Sequence, residues 1–141
     1  MSTVARIEEI CSAHAGRKGS LLPILHDLQA EFGCISEEAE RVVADALNLS
    51  RAEVHGVVSF YHDFEQAPDE RPQVQICRAE ACKARGVEAL MPEAEASAGK
   101  RVRLQTVYCL GLCSVGPNAR VGDAMHSRLD RASIKQLIEA V

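Results

Sequence analysis

Six cysteines are the residues of this chain with the widest choice of chemistry. Four of them form two pairs, C-x4-C from Cys77 to Cys82 and C-x3-C from Cys109 to Cys113, separated by 26 residues. Four thiolates at one place can hold a [2Fe-2S] cluster or a zinc ion. Because short chelating loops suit both metals, and unligated cysteines can share this spacing, spacing alone leaves the three interpretations open. No C-x-x-C dithiol occurs, which argues against a thioredoxin-type disulfide reductase.

The other two cysteines are not predicted ligands. Cys11 lies on the apolar stripe of a predicted helix and is interpreted as a small core residue, while Cys34 could be a buried or a surface thiol. Near the paired cysteines, Gly111 and Gly116-Pro117 would let the backbone turn closely around a metal and direct N–H groups at sulfur, or would form an ordinary loop.

Three cations lie close in sequence to the first pair: Arg78, Lys83 and Arg85. A cluster held by four cysteinates carries a charge of about −2 when oxidised and about −3 when reduced, so nearby cations would favour the reduced form. The alternative interpretation is a solvated helix face.

An α/β domain over residues 72–141 is predicted to position the cysteines. Val74 and Ile76, then Val102, Leu104 and Thr106, predict two strands, and residues 82–90 predict a helix between them. Gly122-Asp123 predicts a hairpin, and Asp130 begins a last helix. The order β-α-β-β-β-α is that of a small thioredoxin-like domain. Since each cysteine pair follows a strand, both pairs should lie at the same sheet edge.

A small helical bundle is predicted over residues 1–67. Apolar spacing and capping residues indicate four short helices, over 4–14 and beginning near Ser20, Ser36 and Ser50. Such helices bury little area individually, so they must pack on each other or on a partner chain. Two prolines and several charges over residues 66–72 place the domain boundary there. The predicted fold class is therefore α+β.

Charge and composition exclude several functions. Residues 1–70 hold 5 Lys or Arg against 13 Asp or Glu, a net of −8, whereas residues 71–141 hold 11 against 7, a net of +4. With no Trp, five Phe or Tyr and no basic run, the chain does not fit a nucleic-acid-binding protein. Neither a signal peptide nor a membrane span is predicted. Cysteine-rich chains without an export signal predict a reducing, cytoplasmic location.

Three segments carry a resemblance to a known family: residues 77–82, residues 108–113 and residues 54–64. They resemble the thioredoxin-like [2Fe-2S] ferredoxin family, which includes the small iron–sulfur subunit of complex I and its relatives in NAD-linked hydrogenases and formate dehydrogenases. Within it, His55-Gly56, His62-Asp63 and the segment 78–81 look most like the gamma subunit of soluble, NAD-dependent formate dehydrogenase.

The resemblance implies a function and a ligand set. Its four cluster ligands would be Cys77, Cys82, Cys109 and Cys113, and the chain would exchange single electrons with a flavin-bearing, NAD-binding subunit. It has no G-x-G-x-x-G motif and no P-loop, so it would be a non-catalytic subunit. FMN, NAD, further iron–sulfur clusters and a molybdenum or tungsten cofactor would belong to partner subunits, where formate would be oxidised.

Several alternatives remain. The chain could be the equivalent subunit of an NAD-linked hydrogenase or of complex I, or, in a different class, a zinc-stabilised structural adaptor. Whatever the parent complex, we expect the acidic helical half to attach the chain to the flavin subunit, with Phe60, Tyr61 and Phe64 contributing at the domain junction or the interface.

Overall fold

The computed structural model describes residues 2–141, which form two compact units divided between Asp69 and Glu70. The first unit contains four helices: α1 (Thr3–Ala13), α2 (Leu21–Phe32), α3 (Glu37–Leu47) and α4 (Arg51–Phe60). Helix α3 packs against α1, α2 and α4. The largest of its fully buried apolar side chains are Ile7, Ile24, Leu25, Leu28, Ile35, Val43, Val54 and Val58.

Local capping explains where these helices begin and end. The Ser36 and Ser50 hydroxyls each accept a hydrogen bond from the backbone N–H three residues on, and Glu53 completes a capping box with Ser50. Gly33 ends α2 in the left-handed conformation, with φ of 72°. Ser20 precedes α2 but makes no side-chain capping bond.

The buried face of α3 differs from a simple apolar stripe. Ala39, Val43 and Ala44 are buried, but so is Glu40, while Ala46 is exposed. Glu40 is only 2% exposed, and its carboxylate lies 2.9 Å from Nδ1 of His55 on α4, which packs against α3. The buried carboxylate therefore has a polar partner.

The second unit is a four-stranded mixed sheet with helices. Its strands are β1 (Gln73–Cys77), β2 (Arg103–Val107), β3 (Ala119–Val121) and β4 (Ala124–His126), in the order β2-β1-β3-β4. Only β1 and β2 are parallel. Helices α5 (Glu80–Ala84), α6 (Val87–Ala98) and α7 (Arg131–Glu139) and a 3-10 turn at Cys113–Val115 complete the unit, whose α+β class is the one predicted. The core packs Val74 and Ile76 with residues of α6 and α7.

Two local predictions have different outcomes. The hairpin at Gly122-Asp123 is confirmed, with Gly122 at φ of 55°. The single helix predicted over residues 82–90 is wrong, because the left-handed Gly86, with φ of 91°, separates α5 from α6, and α6 continues to Ala98. No helix in the described part of the chain is long and apolar enough to cross a lipid bilayer.

Candidate metal centre

The four paired cysteines lie in two loops at one edge of the sheet. Cys77 ends β1 and Cys82 lies in α5, and both are 1% exposed. Cys109 follows β2 and Cys113 begins the 3-10 turn, and both are exposed. Because β1 and β2 are parallel, with Cys77 opposite Val107, their following loops leave the sheet in the same direction.

Backbone hydrogen bonds connect these loops. The Arg78 N–H donates to the Val107 carbonyl at 2.9 Å, and the Cys109 N–H donates to Cys77 Sγ at 3.3 Å. Within the second loop, the Gly111 N–H donates to Cys109 Sγ at 3.4 Å. This turn uses positive φ at Cys109 (90°) and Gly111 (81°), which is costly for a non-glycine residue and is held here by the loop contacts.

The surroundings of Cys77 favour its thiolate form. Burial raises the pKa of its thiol, but N–H groups of Ala79, Cys109 and Leu110 and the Cys82 side chain more than offset burial, so the pKa of Cys77 is lowered. A thiolate that accepts several N–H groups suits a metal ligand, since the thiolate is the form that binds metal.

The four sulfurs are arranged as two neighbouring pairs. Sγ of Cys109 and Sγ of Cys113 are 3.6 Å apart, and the thiols of Cys77 and Cys82 are close enough for each to shift the pKa of the other. The pKa of Cys82 is raised by burial and then by Cys77, and the pKa of Cys113 is raised chiefly by its hydrogen bond with Cys109. In both pairs, one thiolate disfavours the charge of its neighbour. A cation bound between them would remove that penalty.

This pairwise arrangement fits a centre of two iron atoms. In a [2Fe-2S] cluster, each iron takes two protein ligands. Among residues 2–141, no group of three or more His, Cys, Asp or Glu side chains is placed to hold a single ion. The structure thus brings the four predicted residues together as two pairs, while Cys11 and Cys34 lie in the helical unit.

Asn118 and Gly116 complete the surroundings of Cys82. The Asn118 amide lies 3.5 Å from Cys82 Sγ. A Cβ placed on Gly116 would lie 3.0 Å from the same sulfur, which is tighter than an ordinary contact, so a larger residue here would require the sulfur or the loop to shift. The sequence interpretation included Gly116 but missed Asn118. Its one sequence signal is an amide directly before the short strand β3, following the second cysteine loop.

The three cations predicted near the site have different partners. Arg78 pairs with Glu88 through two contacts, at 2.9 and 2.6 Å, and this pair raises the pKa of Arg78 and lowers that of Glu88. Lys83 lies 3.6 Å from Glu80. Arg85 reaches the neighbourhood of Cys82, because its Cδ is 3.3 Å from the position that a Cβ on Gly116 would take.

A family profile, the thioredoxin-like [2Fe-2S] ferredoxin, matches residues 7–141. The chain belongs to the thioredoxin-like [2Fe-2S] ferredoxin family. It is 31% identical over 149 aligned positions to a subunit of the NADH-quinone oxidoreductase of Rhizobium meliloti (strain 1021), covering 99% of this chain and 89% of that protein.

Other similar proteins are named as hydrogenases or hydrogenase subunits. The NADP-reducing hydrogenase subunit HndA of Solidesulfovibrio fructosivorans is 28% identical over 86% of this chain and 77% of its own length. A crystal structure of an NAD⁺-reducing [NiFe]-hydrogenase superposes with a TM-score of 0.69 and 28% identity, covering 85% of this chain but 22% of the hydrogenase chain. These relatives favour the complex I and hydrogenase alternatives over the predicted formate dehydrogenase.

Proposed function

We propose that this chain carries one [2Fe-2S] cluster on Cys77, Cys82, Cys109 and Cys113, as an electron-transfer subunit of an NAD-linked oxidoreductase complex. The observation that carries the proposal is the arrangement of four thiols as two adjacent pairs on loops from parallel strands. Family membership supports the cluster type. When bound, the cluster would supply a carrier for one electron.

The two cysteine pairs would have different roles. Cys77 and Cys82 are buried and are hydrogen-bonded by the unit's own backbone and by Asn118, so they would fix the cluster in position. Cys109 and Cys113 are exposed, beside the exposed ring of Tyr108. Electrons would therefore enter or leave at this exposed edge.

A flavin-bearing partner follows from the electron count. NADH gives up two electrons as a hydride, whereas one [2Fe-2S] cluster takes one, so a flavin must divide the pair. This chain contains no dinucleotide-binding or P-loop motif, so flavin and NAD would bind to a partner subunit. The names of the relatives support a complex I-type or hydrogenase-type complex.

The finer assignment to formate dehydrogenase rests on the segments noted above, including His55-Gly56 and residues 78–81. Further clusters and a molybdenum or tungsten cofactor would then lie on its other subunits. Purifying the chain with its native partners and comparing NAD⁺ reduction by formate, by hydrogen and by a quinone-linked assay would identify the parent complex. NAD⁺ reduction by formate, with no activity with hydrogen or in the quinone-linked assay, would support this assignment. A complex that does not reduce NAD⁺ with formate would exclude it. The cytoplasmic location remains a prediction.

Metal analysis tests the cluster itself. Anaerobically purified protein should contain about two iron atoms and two acid-labile sulfides per chain, with visible absorption that bleaches on reduction. Stoichiometric zinc without labile sulfide, in a colourless protein, would refute the cluster and support the zinc-stabilised adaptor.

We also propose that the helical unit, residues 1–67 in the predicted division, docks on the flavin subunit. Phe64 is buried in the helical core and packs its ring against His26, but Phe60 is 74% exposed. An exposed phenylalanine beside the partly exposed Tyr61 is the kind of aromatic group found in interface cores.

The docking test uses the full chain. Phe60→Asp should lower retention of the flavin subunit in a pull-down without changing iron content. Met125→Asp is the matched control, because Met125 is an exposed apolar side chain of the other unit. Equal retention by the wild type and Phe60→Asp would show that this aromatic surface is not the docking site.

A further inference from the structure

Asn118 is a buried amide that contacts both cysteine loops. The residue directly precedes β3 and is 1% exposed. Its backbone carbonyl accepts a hydrogen bond from the Cys77 N–H at 3.1 Å. Its side-chain Nδ2 lies 3.5 Å from Cys82 Sγ and 3.0 Å from the Leu112 carbonyl oxygen. Asn118 therefore connects the surroundings of the first cysteine pair to the loop of the second.

The Leu112 carbonyl determines the orientation of the amide. A carbonyl oxygen only accepts hydrogen bonds, so the Asn118 atom facing it must be the nitrogen. The reversed amide would place two acceptor oxygens 3.0 Å apart. An amide nitrogen has two hydrogens, and one is used by Leu112, so the second is available to Cys82 Sγ.

The amide carries a stability cost that an apolar side chain would avoid. Asn118 Oδ1 is buried and has no hydrogen-bond partner among the described residues. An unsatisfied buried acceptor destabilises the folded state, and a side chain of similar volume without polar atoms would not. The contacts of Nδ2, with Leu112 and Cys82, are thus the features that distinguish asparagine from an apolar residue here.

We propose that Asn118 is a positioning residue that sets the reduction potential of the cluster by donating a hydrogen bond to the Cys82 sulfur. This inference rests on the proposed function. Adding one electron takes the cluster with its four cysteinates from a charge of about −2 to about −3, and an N–H donor stabilises the more negative state more. Hydrogen bonds to the sulfurs therefore raise the potential.

The two buried cysteines depend on different donors. Cys77 Sγ accepts from the backbone N–H of Cys109 at 3.3 Å, which no side-chain substitution removes. In the described part of the chain, the side-chain donor to Cys82 is Asn118. A single substitution can consequently remove this donor from one ligand while the other buried ligand keeps its hydrogen bonds.

The test compares Asn118→Leu with the wild type in the full chain. Iron and sulfide content are measured first, followed by the midpoint potential in an EPR-monitored redox titration. We expect full cluster content and an equilibrium constant for one-electron reduction lower by about three- to tenfold, where tenfold is 59 mV. Gln75→Leu is the matched control, since Gln75 is a buried amide of the same sheet that bonds to Gln105 and Arg120.

Each outcome supports or overturns the inference. A lower potential in Asn118→Leu but not in Gln75→Leu supports it. An unchanged or higher potential with full cluster content overturns it, while the proposed function stands. Absence of iron and labile sulfide from the wild type overturns the proposed function itself.

A second measurement tests the inference if the Asn118→Leu variant does not bind a cluster. The chain has two asparagines, Asn48 and Asn118, so labelling asparagine side-chain amides with ¹⁵N labels only two side chains. We expect the reduced wild-type cluster to show a hyperfine coupling to this label, and the same coupling to persist in Asn48→Asp, which leaves Asn118 as the labelled amide. Absence of the coupling from the wild type, or its loss in Asn48→Asp, would overturn the inference.

Discussion

The charge of Arg85 should raise the potential of the cluster. Arg85 Cδ is 3.3 Å from the position of a Cβ on Gly116, which in turn is 3.0 Å from Cys82 Sγ. The carbon therefore lies no farther from the sulfur than these two distances combined. For a Coulomb estimate, we take the separation of the guanidinium and cluster charges as about 8 Å.

The size of the effect follows from this separation. Arg85 is exposed, so an effective dielectric constant of about 40 to 80 is appropriate, and one unit charge at about 8 Å then contributes about 0.5 to 1 kcal/mol. A tenfold change in the equilibrium constant for one-electron reduction corresponds to about 1.4 kcal/mol and to 59 mV, so this energy corresponds to a shift in potential of about 20 to 45 mV. Arg85→Gln should lower the midpoint potential by this amount.

The assay is a redox titration of the full chain at two salt concentrations. Because the Debye length falls from about 8 Å at 0.15 M to about 3 Å at 1 M, the difference between Arg85→Gln and wild type should shrink at high salt. A charge-specific control is available at Arg78 and Glu88, whose charges lie side by side. Arg78→Gln should lower the potential, Glu88→Gln should raise it, and the double variant should lie close to the wild type.

Two results would refute this electrostatic reasoning. One is an unchanged or higher potential in Arg85→Gln at low salt, which would support the solvated-face interpretation. The other is a shift of the same sign in Arg78→Gln and Glu88→Gln, because substitutions of opposite charge would then act through loop structure. Lys83→Gln provides a further comparison, as Lys83 lies 3.6 Å from Glu80.

Three further predictions concern ligands, packing and stability. Serine in place of any one of the four paired cysteines should abolish or alter the EPR signal of the reduced cluster, whereas Cys11→Ala should leave it unchanged; a signal lost in Cys11→Ala would contradict the ligand set. Gly116→Ala should destabilise the cluster unit by about 1 to 3 kcal/mol, measured by thermal loss of visible absorption, because the new Cβ would lie 3.0 Å from Cys82 Sγ. Gly56→Ala is its control, since a Cβ there meets nothing within 4 Å, and an equal loss would refute the steric argument. His55→Ala should lower the free energy of unfolding by about 1 to 3 kcal/mol in urea denaturation, because Glu40 would lose its 2.9 Å partner, and an unchanged midpoint would show that the pair contributes nothing.

Features with a local cause could be predicted from the sequence. The caps at Ser36 and Ser50 depend on residues three positions apart, and the hairpin depends on Gly122-Asp123. The same-edge arrangement of the cysteine loops needed one further assumption, that the strands before them are parallel neighbours, and β1 and β2 satisfy it. Whether the four cysteines are the cluster ligands remains a proposal.

Other features depend on contacts between distant residues. No local pattern shows that the face of α3 carrying Glu40 meets His55, so the helical periodicity alone does not reveal this buried carboxylate. The break at Gly86 was also missed, because an apolar pattern continues through an isolated glycine until its left-handed backbone ends the helix.

Asn118 shows that a sequence can reveal candidate ligands without revealing the residues that surround them. A candidate ligand is marked by its residue type and by the spacing within its own loop, as with the proposed ligands Cys109 and Cys113. A hydrogen-bond donor to a ligand can come from any nearby strand, and Asn118 is 36 positions from Cys82. The pairing of β1 with β3 brings the two residues together, since the Asn118 carbonyl accepts from the Cys77 N–H. The proposed donor is therefore specified by strand pairing and not by the spacing of the cysteines, so the sequence pattern that marks the cysteines does not reveal it.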